Sequence, residues 1–327
     1  MYPELFEIPF IHVTLKSYGL MMVIGFLAAV SLIRHLSRDF TPNPQLVTNG
    51  ALYTLIAGVV GARAFYVIHH YDKLDGGLLS VFALWRGGLE LYGAVILAIP
   101  VLFFFLLYHK LHIRRYLDVI AVGLMIALVC GRIGCFMRGC CFGKPTDLPW
   151  AVRFPYGSDP YYSQIYPNTK RERTEPYLKL PQEFFGYYDN SNGEKFYGLK
   201  PYEDLTDEQK NMVKNGKYRC LPVHPTQLYS SANAAVLCLI LYLFWRRSQK
   251  AELAKNSNRL LTKPGSTFAL MFILYGIARF LIEFLRDDNP FEFDGLTISQ
   301  NIGIAMVMLG VVLMAIFQRM KPKALRP

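Results

Sequence analysis

The sequence is poor in charge and in cysteine. Asp, Glu, Lys and Arg make up only 18% of its 327 residues against 53% hydrophobic, which is too apolar for the two soluble domains that the length alone would suggest. Six cysteines are too few for a disulfide scaffold, and 25 glycines without a repeat period exclude a collagen-like chain. At 14%, aromatic residues are too many for a disordered one. There is no Cys-x-x-Cys pair, no Gly-x-x-x-x-Gly-Lys loop and no dinucleotide fingerprint after a strand, so a thiol redox enzyme ranks low and no soluble cofactor is implied. No metal is implied either: a zinc site made of Cys135, Cys140, Cys141 and His224 would follow no usual zinc spacing.

What is present is a series of apolar stretches long enough to cross a bilayer, at about 17–33, 48–68, 87–108, 117–137, 225–245, 266–286 and 298–318. The first has no basic start and no Ala-x-Ala-type cleavage site, so it reads as a retained span and not as a signal peptide, with the mature chain starting near Met1. Basic residues follow alternate spans: Arg34 and Arg38; Lys110, Arg114 and Arg115; Arg246, Arg247 and Lys250; Arg319 and Lys321. By the positive-inside rule these four sites are cytoplasmic, which puts the N-terminus outside and the C-terminus inside. Much of the net charge of +11 is then an orientation signal, and nucleic acid is not an expected partner. The connectors from Tyr71 to Trp85 and from Asp287 to Gly295 fall outside; the second has four acids and no Lys or Arg.

The sequence therefore predicts an all-α polytopic membrane protein with seven transmembrane helices and a small, irregular, β-containing outer head. Its parts are residues 1–137 (helices 1–4), 138–223 (head) and 224–327 (helices 5–7 and a basic tail). The head segment is too long to be an idle loop. It carries one capped helical signal, Thr206-Asp207-Glu208-Gln209.

Ionisable groups inside spans are costly and mark functional sites. Arg63 lies late in the second span, followed by Tyr66, His69 and His70. Arg132 lies late in the fourth, in Gly131-Arg132-Ile133-Gly134, and His224, Gln227 and Tyr229 open the fifth. Tyr275, Arg279, Glu283 and Arg286 stack at helical spacing along the sixth. Tyr18 and the segment from Gly87 and Gly88 to Tyr92 and Gly93 fall at the same outer level. An Arg279–Glu283 pair that only neutralises itself, interfacial tyrosines and glycines that serve close helix packing are the structural alternatives. Two arginines entering from the outer face suit an anionic lipid headgroup, because guanidinium forks onto phosphate and stays charged.

These residues resemble one family, the phosphatidylglycerol–prolipoprotein diacylglyceryl transferases of bacterial inner membranes. The matching pieces run in family order: Ser17-Tyr18-Gly19, Gly61-Ala62-Arg63, Trp85 to Gly93, the signature-like Gly131 to Phe136 ending at Gly143, His224 to Tyr229, Tyr275 to Arg286, and Ser299-Gln300. The resemblance implies transfer of the diacylglyceryl group of phosphatidylglycerol to the lipobox cysteine of a prolipoprotein, with a thioether formed and glycerol phosphate released. It implies that Arg132 and Arg279 hold the phosphate, that Glu283 orients Arg279, and that Tyr18 and Tyr275 hydrogen-bond the headgroup or substrate. Arg63, Gly88, Gly143, His224, Gln227 and Cys135 fall at binding positions, and a monomer in the bacterial inner membrane is expected.

Two positions depart from the family pattern: Tyr92 stands where the best-known members have His, and Cys135 where they have Asn. A phenol near pKa ~10 is a poor base at neutral pH, so Tyr92 is expected to act as a hydrogen-bonding group or as a partly ionised phenolate beside Arg132, or the family His is not an obligatory base; His224 is another candidate base. A transferase for another anionic lipid or acceptor, and a non-catalytic lipid- or lipoprotein-binding paralogue, remain as rival readings. A transporter fits less well, because the inner halves of the spans hold almost no charge. Of the outer cysteines, Cys140 or Cys141 is expected to bond Cys220 across the two ends of the head, whereas Cys130 and Cys238 lie inside spans as packing residues.

Overall fold

The computed structural model describes residues 4–8, 13–41, 43–71, 88, 90–189, 195–253, 262–293 and 295–320. Most of the connector from Tyr71 to Trp85, together with Gly87 and the residues from Lys321 onward, lies outside that set.

A hairpin of β1 (Glu4–Ile8) and β2 (Val13–Lys16) leads into α1 (Ser17–Leu36), α2 (Gln45–His69), α3 (Leu91–Tyr108) and α4 (Ile113–Arg138). Short elements follow: α5 (Asp159–Ile165), the antiparallel hairpin β3 (Phe185–Asp189) and β4 (Lys195–Leu199), and α6 (Asp207–Lys214). The chain then forms α7 (Thr226–Leu253), α8 (Ser266–Glu283), a two-strand turn of β5 (Phe291–Phe293) and β6 (Leu296–Thr297), and α9 (Ile298–Arg319). Among the described residues six helices, α1, α2, α4, α7, α8 and α9, are long and apolar enough to cross a membrane. The remaining stretch, 87–108, corresponds to α3, whose apolar part Tyr92–Tyr108 falls among the shorter helices and contains Pro100. Proline removes one backbone donor inside a helix.

The chain divides into two compact units: Met1–Phe26 with Met125–Ile240 and Ala269–Leu313, and Leu27–Leu124 with Leu241–Phe268 and Met314–Pro327. In the first, α8 and α9 cross at glycines: a Cβ on Gly276 would stand 2.7 Å from the Gly303 carbonyl oxygen, so the two backbones touch. Between residues 142 and 223 this unit has its own apolar cluster, built on Phe142, Phe154, Tyr161, Phe184, Cys220 and Val223. Tyr161 is completely buried there because its hydroxyl donates to the Tyr218 carbonyl at 2.9 Å, so the ring brings no orphan polar atom with it. The Thr206–Gln209 signal forms the expected reciprocal cap of α6, with bonds of 3.3 and 3.1 Å.

In the second unit α2 packs on α3 through Gly61 and Gly93, each of whose added Cβ would stand within 2.3 Å of the other's carbonyl oxygen. Asp118, buried on α4, accepts from the backbone N–H groups of Gly265 (2.7 Å) and Phe268 (2.9 Å). A carboxylate inside an apolar helix is thereby spent on the orphan donors at the start of α8.

Candidate active site

The end of α8 in the first unit is a knot of charge. Glu283 is fully buried; its Oε2 lies 3.0 Å from the Arg279 guanidinium and 3.7 Å from that of Arg286. Its other oxygen accepts from Asn289 Nδ2 (2.5 Å) and from the Thr297 hydroxyl (3.1 Å). Arg279 also donates to Ser299 Oγ at 2.6 Å. The expected stack along the sixth span therefore holds for Arg279 and Glu283 but not for Arg286. The helix closes at Glu283, and Arg286 lies beyond it, bridged to Gly143 and gripped by Asp288 through Nε–Oδ1 (2.8 Å) and Nη2–Oδ2 (2.5 Å). The tight turn Phe284–Arg286, with Arg286 N–H donating to the Glu283 carbonyl at 3.1 Å, ends the helical register before that residue.

Of Arg132, Arg279 and Arg286, two are neutralised. Arg286 is paired with Asp288 and Arg279 with Glu283, whereas Arg132 makes no hydrogen bond or ion pair among the described residues. Arg132 and Arg279 line one small cavity of about 10 Å³ together with Tyr275, Ser230 and Asn233. That volume holds about one water. Arg132 is thus a cation without an ion-pair partner among the described residues, which favours an anion there. Tyr18 opens α1 nearby: a Cβ on Gly134 would meet the Tyr18 ring at 3.2 Å, so this glycine lets Tyr18 lie against the Arg132 segment.

The loop after α4 is fixed by the start of α7. Gln227, buried, donates to the Cys140 carbonyl at 2.7 Å, and the Thr226 hydroxyl donates to the Cys141 carbonyl at 2.7 Å. Gly143 N–H donates to the His224 carbonyl (3.1 Å), and a Cβ on Gly143 would stand 2.6 Å from His224 Cβ and 2.8 Å from the Leu285 carbonyl oxygen. Only glycine fits there without a shift of backbone. His224 thus secures the loop through its main chain, while its ring faces the Tyr229 hydroxyl at 3.4 Å. Burial and the nearby Lys144 push the His224 imidazole below its usual range, so it is neutral at pH 7.

Within this loop Cys141 has a left-handed backbone (φ 61°), and the three sulfurs of Cys135, Cys140 and Cys141 lie within 4.8 Å of one another. Hydrogen bonds from Cys135 and Cys140 hold the Cys141 thiol below the ordinary range, and the bonding with Cys135 holds Cys140 above it. The expected link from Cys140 or Cys141 to Cys220 is not formed: all six cysteines are free, and Cys220 is buried in the apolar cluster of its unit. Neither the cluster nor its loop could be read from spacing, because it depends on the positive φ at Gly139 and Cys141.

The remaining expected residues belong to the second unit. Arg63 is buried and donates to the Gly88 carbonyl at 3.1 Å. Gly88 has φ 77°, and a Cβ on it would stand 2.4 Å from the Tyr66 ring. Glu90 lies 2.7 Å from His69 Nδ1, and Tyr92, in the first turn of α3, is 66% exposed. Sequence reasoning did not single out Asn289, Thr297 or Asp288 around Glu283. Thr297 with Gln300 had a readable signal, since each caps the other at 3.0 and 3.3 Å in the same Thr-x-x-Gln form as Thr206 and Gln209.

A model of the family described as prolipoprotein diacylglyceryl transferase matches residues 3–316. Among similar proteins is the phosphatidylglycerol–prolipoprotein diacylglyceryl transferase of Clostridium tetani, 27% identical over 95% of this chain and 96% of that protein. The protein of the same name from Streptococcus uberis is 28% identical over 93% of this chain and 91% of its own length, and that from Thermosynechococcus vestitus 25% over 91% and 87%.

Proposed function

This chain belongs to the prolipoprotein diacylglyceryl transferase family, and from that membership we propose how its residues carry the reaction. The protein is a multi-pass membrane transferase that moves the diacylglyceryl group of phosphatidylglycerol to the lipobox cysteine thiol of prolipoproteins. The sulfur attacks the glycerol carbon that bears the phosphate, the C–O bond breaks with its electron pair going to oxygen, and glycerol phosphate leaves. That leaving group needs positive charge, and the thiol needs to lose its proton.

The observation that carries the reading is Arg132, a guanidinium with no partner beside Tyr275 and the already neutralised Arg279. In this reading Arg132 takes the lipid phosphate, Arg279 supports it with a second fork, and Glu283, Ser299 and Asn289 hold Arg279 in place. Tyr18 and Tyr275 hydrogen-bond the headgroup or the acceptor. The small cavity opens by movement of the long arginine side chains as the lipid enters sideways from the bilayer. Gly143, Gln227, His224 and Cys135 shape the loop over the site, and Arg63 with Gly88 shapes the turn ahead of α3. Tyr92 contributes a hydrogen bond and not the base.

We read α3 as the seventh span, residues 138–223 as an outer head, the N-terminus as outside and the C-terminus as cytoplasmic, in a monomer of the bacterial inner membrane. The basic residues at one set of helix ends support that sidedness. The test is incubation of the purified protein in phosphatidylglycerol micelles with a lipobox peptide and mass spectrometry of the peptide. A diacylglyceryl thioether is the expected product; its absence beside an active relative overturns the reading.

A further inference from the structure

The proposed reaction alkylates a thiol, and a thiol reacts as thiolate. In the first unit, the described groups nearest to Arg132 include no imidazole base: His224 spends its main chain on the loop and its ring faces Tyr229. Three thiols are there instead. The sulfurs of Cys135, Cys140 and Cys141 lie within 4.8 Å of one another, whereas a tetrahedral zinc with Zn–S bonds of about 2.3 Å sets its sulfurs about 3.8 Å apart. Closing the difference takes only small side-chain rotations. Cys135 stands near the end of α4, and the loop that presents Cys140 and Cys141 is pinned by Gln227 and Thr226 on their carbonyls, so the ligand set is preorganised.

We propose that Cys135, Cys140 and Cys141 hold a zinc ion whose open fourth position takes the lipobox thiol of the acceptor. The inference rests on the transferase reading and answers what ionises the thiol where, among the described residues, no imidazole lines the Arg132 cavity. Three protein ligands with one open position is the pattern of a catalytic zinc site, and a coordinating thiol is deprotonated outright. Room for the fourth ligand exists, because Cys140 and Cys141 border a cavity of about 330 Å³ that also exposes Asp287 and Asp288.

Charge favours the same arrangement. Zinc with four thiolates carries two net negative charges, and Cys141 lies within electrostatic reach of both Arg286 and Arg132. The step balances without a further reagent. On binding, the S–H proton leaves to solvent through the cavity; the zinc-held sulfur forms the S–C bond, and the breaking C–O bond gives its electrons to the phosphate oxygen beside Arg132. The product thioether is a neutral, weak zinc ligand and departs.

The test uses the full chain, reduced and purified in detergent. It is stripped of metal with a chelator and reloaded with zinc, or with cobalt(II) as a spectroscopic stand-in. One equivalent of cobalt is expected to give thiolate-to-metal charge-transfer absorption that changes on adding a lipobox peptide with Cys but not its Ser counterpart. Cys135→Ser, Cys140→Ser and Cys141→Ser should each weaken binding. Metal removal should slow transfer at least about a hundredfold, with recovery on adding zinc. Failure of the reduced wild-type protein to bind either metal, or a spectrum indifferent to the Cys peptide, overturns the zinc site. So does equal transfer by stripped and reloaded enzyme, which would leave the transferase reading intact. Peptide-dependent spectra with no transfer in any form would overturn the transferase reading instead.

Discussion

Glu283 Oε2 lies 3.0 Å from the guanidinium of Arg279 one helical turn earlier, and the carboxylate is wholly buried. The same carboxylate also faces Arg286 and accepts from Asn289 and Thr297, so one acid organises both arginines. Removing one member of a buried ion pair leaves an uncompensated charge and costs about 3 kcal/mol or more. Glu283→Ala should therefore lower the thermal midpoint and abolish transfer together, as measured by thermal unfolding in detergent and by the peptide assay. A stable, fully active Glu283→Ala protein would separate this acid from Arg279.

Arg132 and Arg279 should part company in stability while agreeing in activity. No described group loses a partner in Arg132→Ala, so its thermal midpoint should stay close to wild type while transfer fails. Arg279→Ala strands Glu283 and should fail in both. Equal destabilisation of the two variants would contradict the pairing of charges at this centre.

Gly143→Ala places a Cβ 2.6 Å from His224 Cβ and 2.7 Å from the His224 carbonyl oxygen. The backbone must move, at about 1–3 kcal/mol, and the loop that carries Cys140 and Cys141 moves with it. Transfer should drop far more than the thermal midpoint does. An unchanged rate would show that the loop's position does not matter to the chemistry.

Tyr92→Phe separates a hydrogen bond from a base. As a hydrogen-bonding group, the phenol should cost about tenfold in rate without displacing the pH profile. A profile shifted on the alkaline side would make Tyr92 the base instead.

Asp287 supplies a pH test of the ion pairs beyond α8. Burial pushes its carboxyl up against the opposing pull of Arg173, 3.1 Å away, and of Arg171. A native-state value raised above the unfolded one means that the folded protein binds this proton more tightly. The contribution is then fully present below about pH 4 and is lost as pH rises through the raised value. Relative to Asp287→Asn, wild type should lose thermal stability from about pH 4 upward; a relative gain over that range would reverse the sign.

Much of the helical frame was readable because each span needs about 20 apolar residues, and such runs leave little ambiguity. The expected stretches at 17–33, 117–137 and 298–318 fall within Ser17–Leu36, Ile113–Arg138 and Ile298–Arg319. Arg279 with Glu283 was legible from its helical spacing alone. Arg286 was not: the helix closes at Glu283, and Arg286 is held instead by a bridge to Gly143, remote in sequence, and by Asp288 just beyond it. The sequence offered Cys135, Cys140 and Cys141 as a group only to set it aside on spacing, because the left-handed backbone at Gly139 and Cys141 that accompanies their clustering follows no metal motif.

In the proposed mechanism the unpaired charge of Arg132 captures the lipid phosphate. The most direct test of that capture is the initial rate of thioether formation against phosphatidylglycerol content for wild type and Arg132→Gln, in identical micelles with identical peptide. A loss of at least about a hundredfold in kcat/KM is expected, with thermal stability retained. Equal kcat/KM in the two proteins would contradict that role for Arg132.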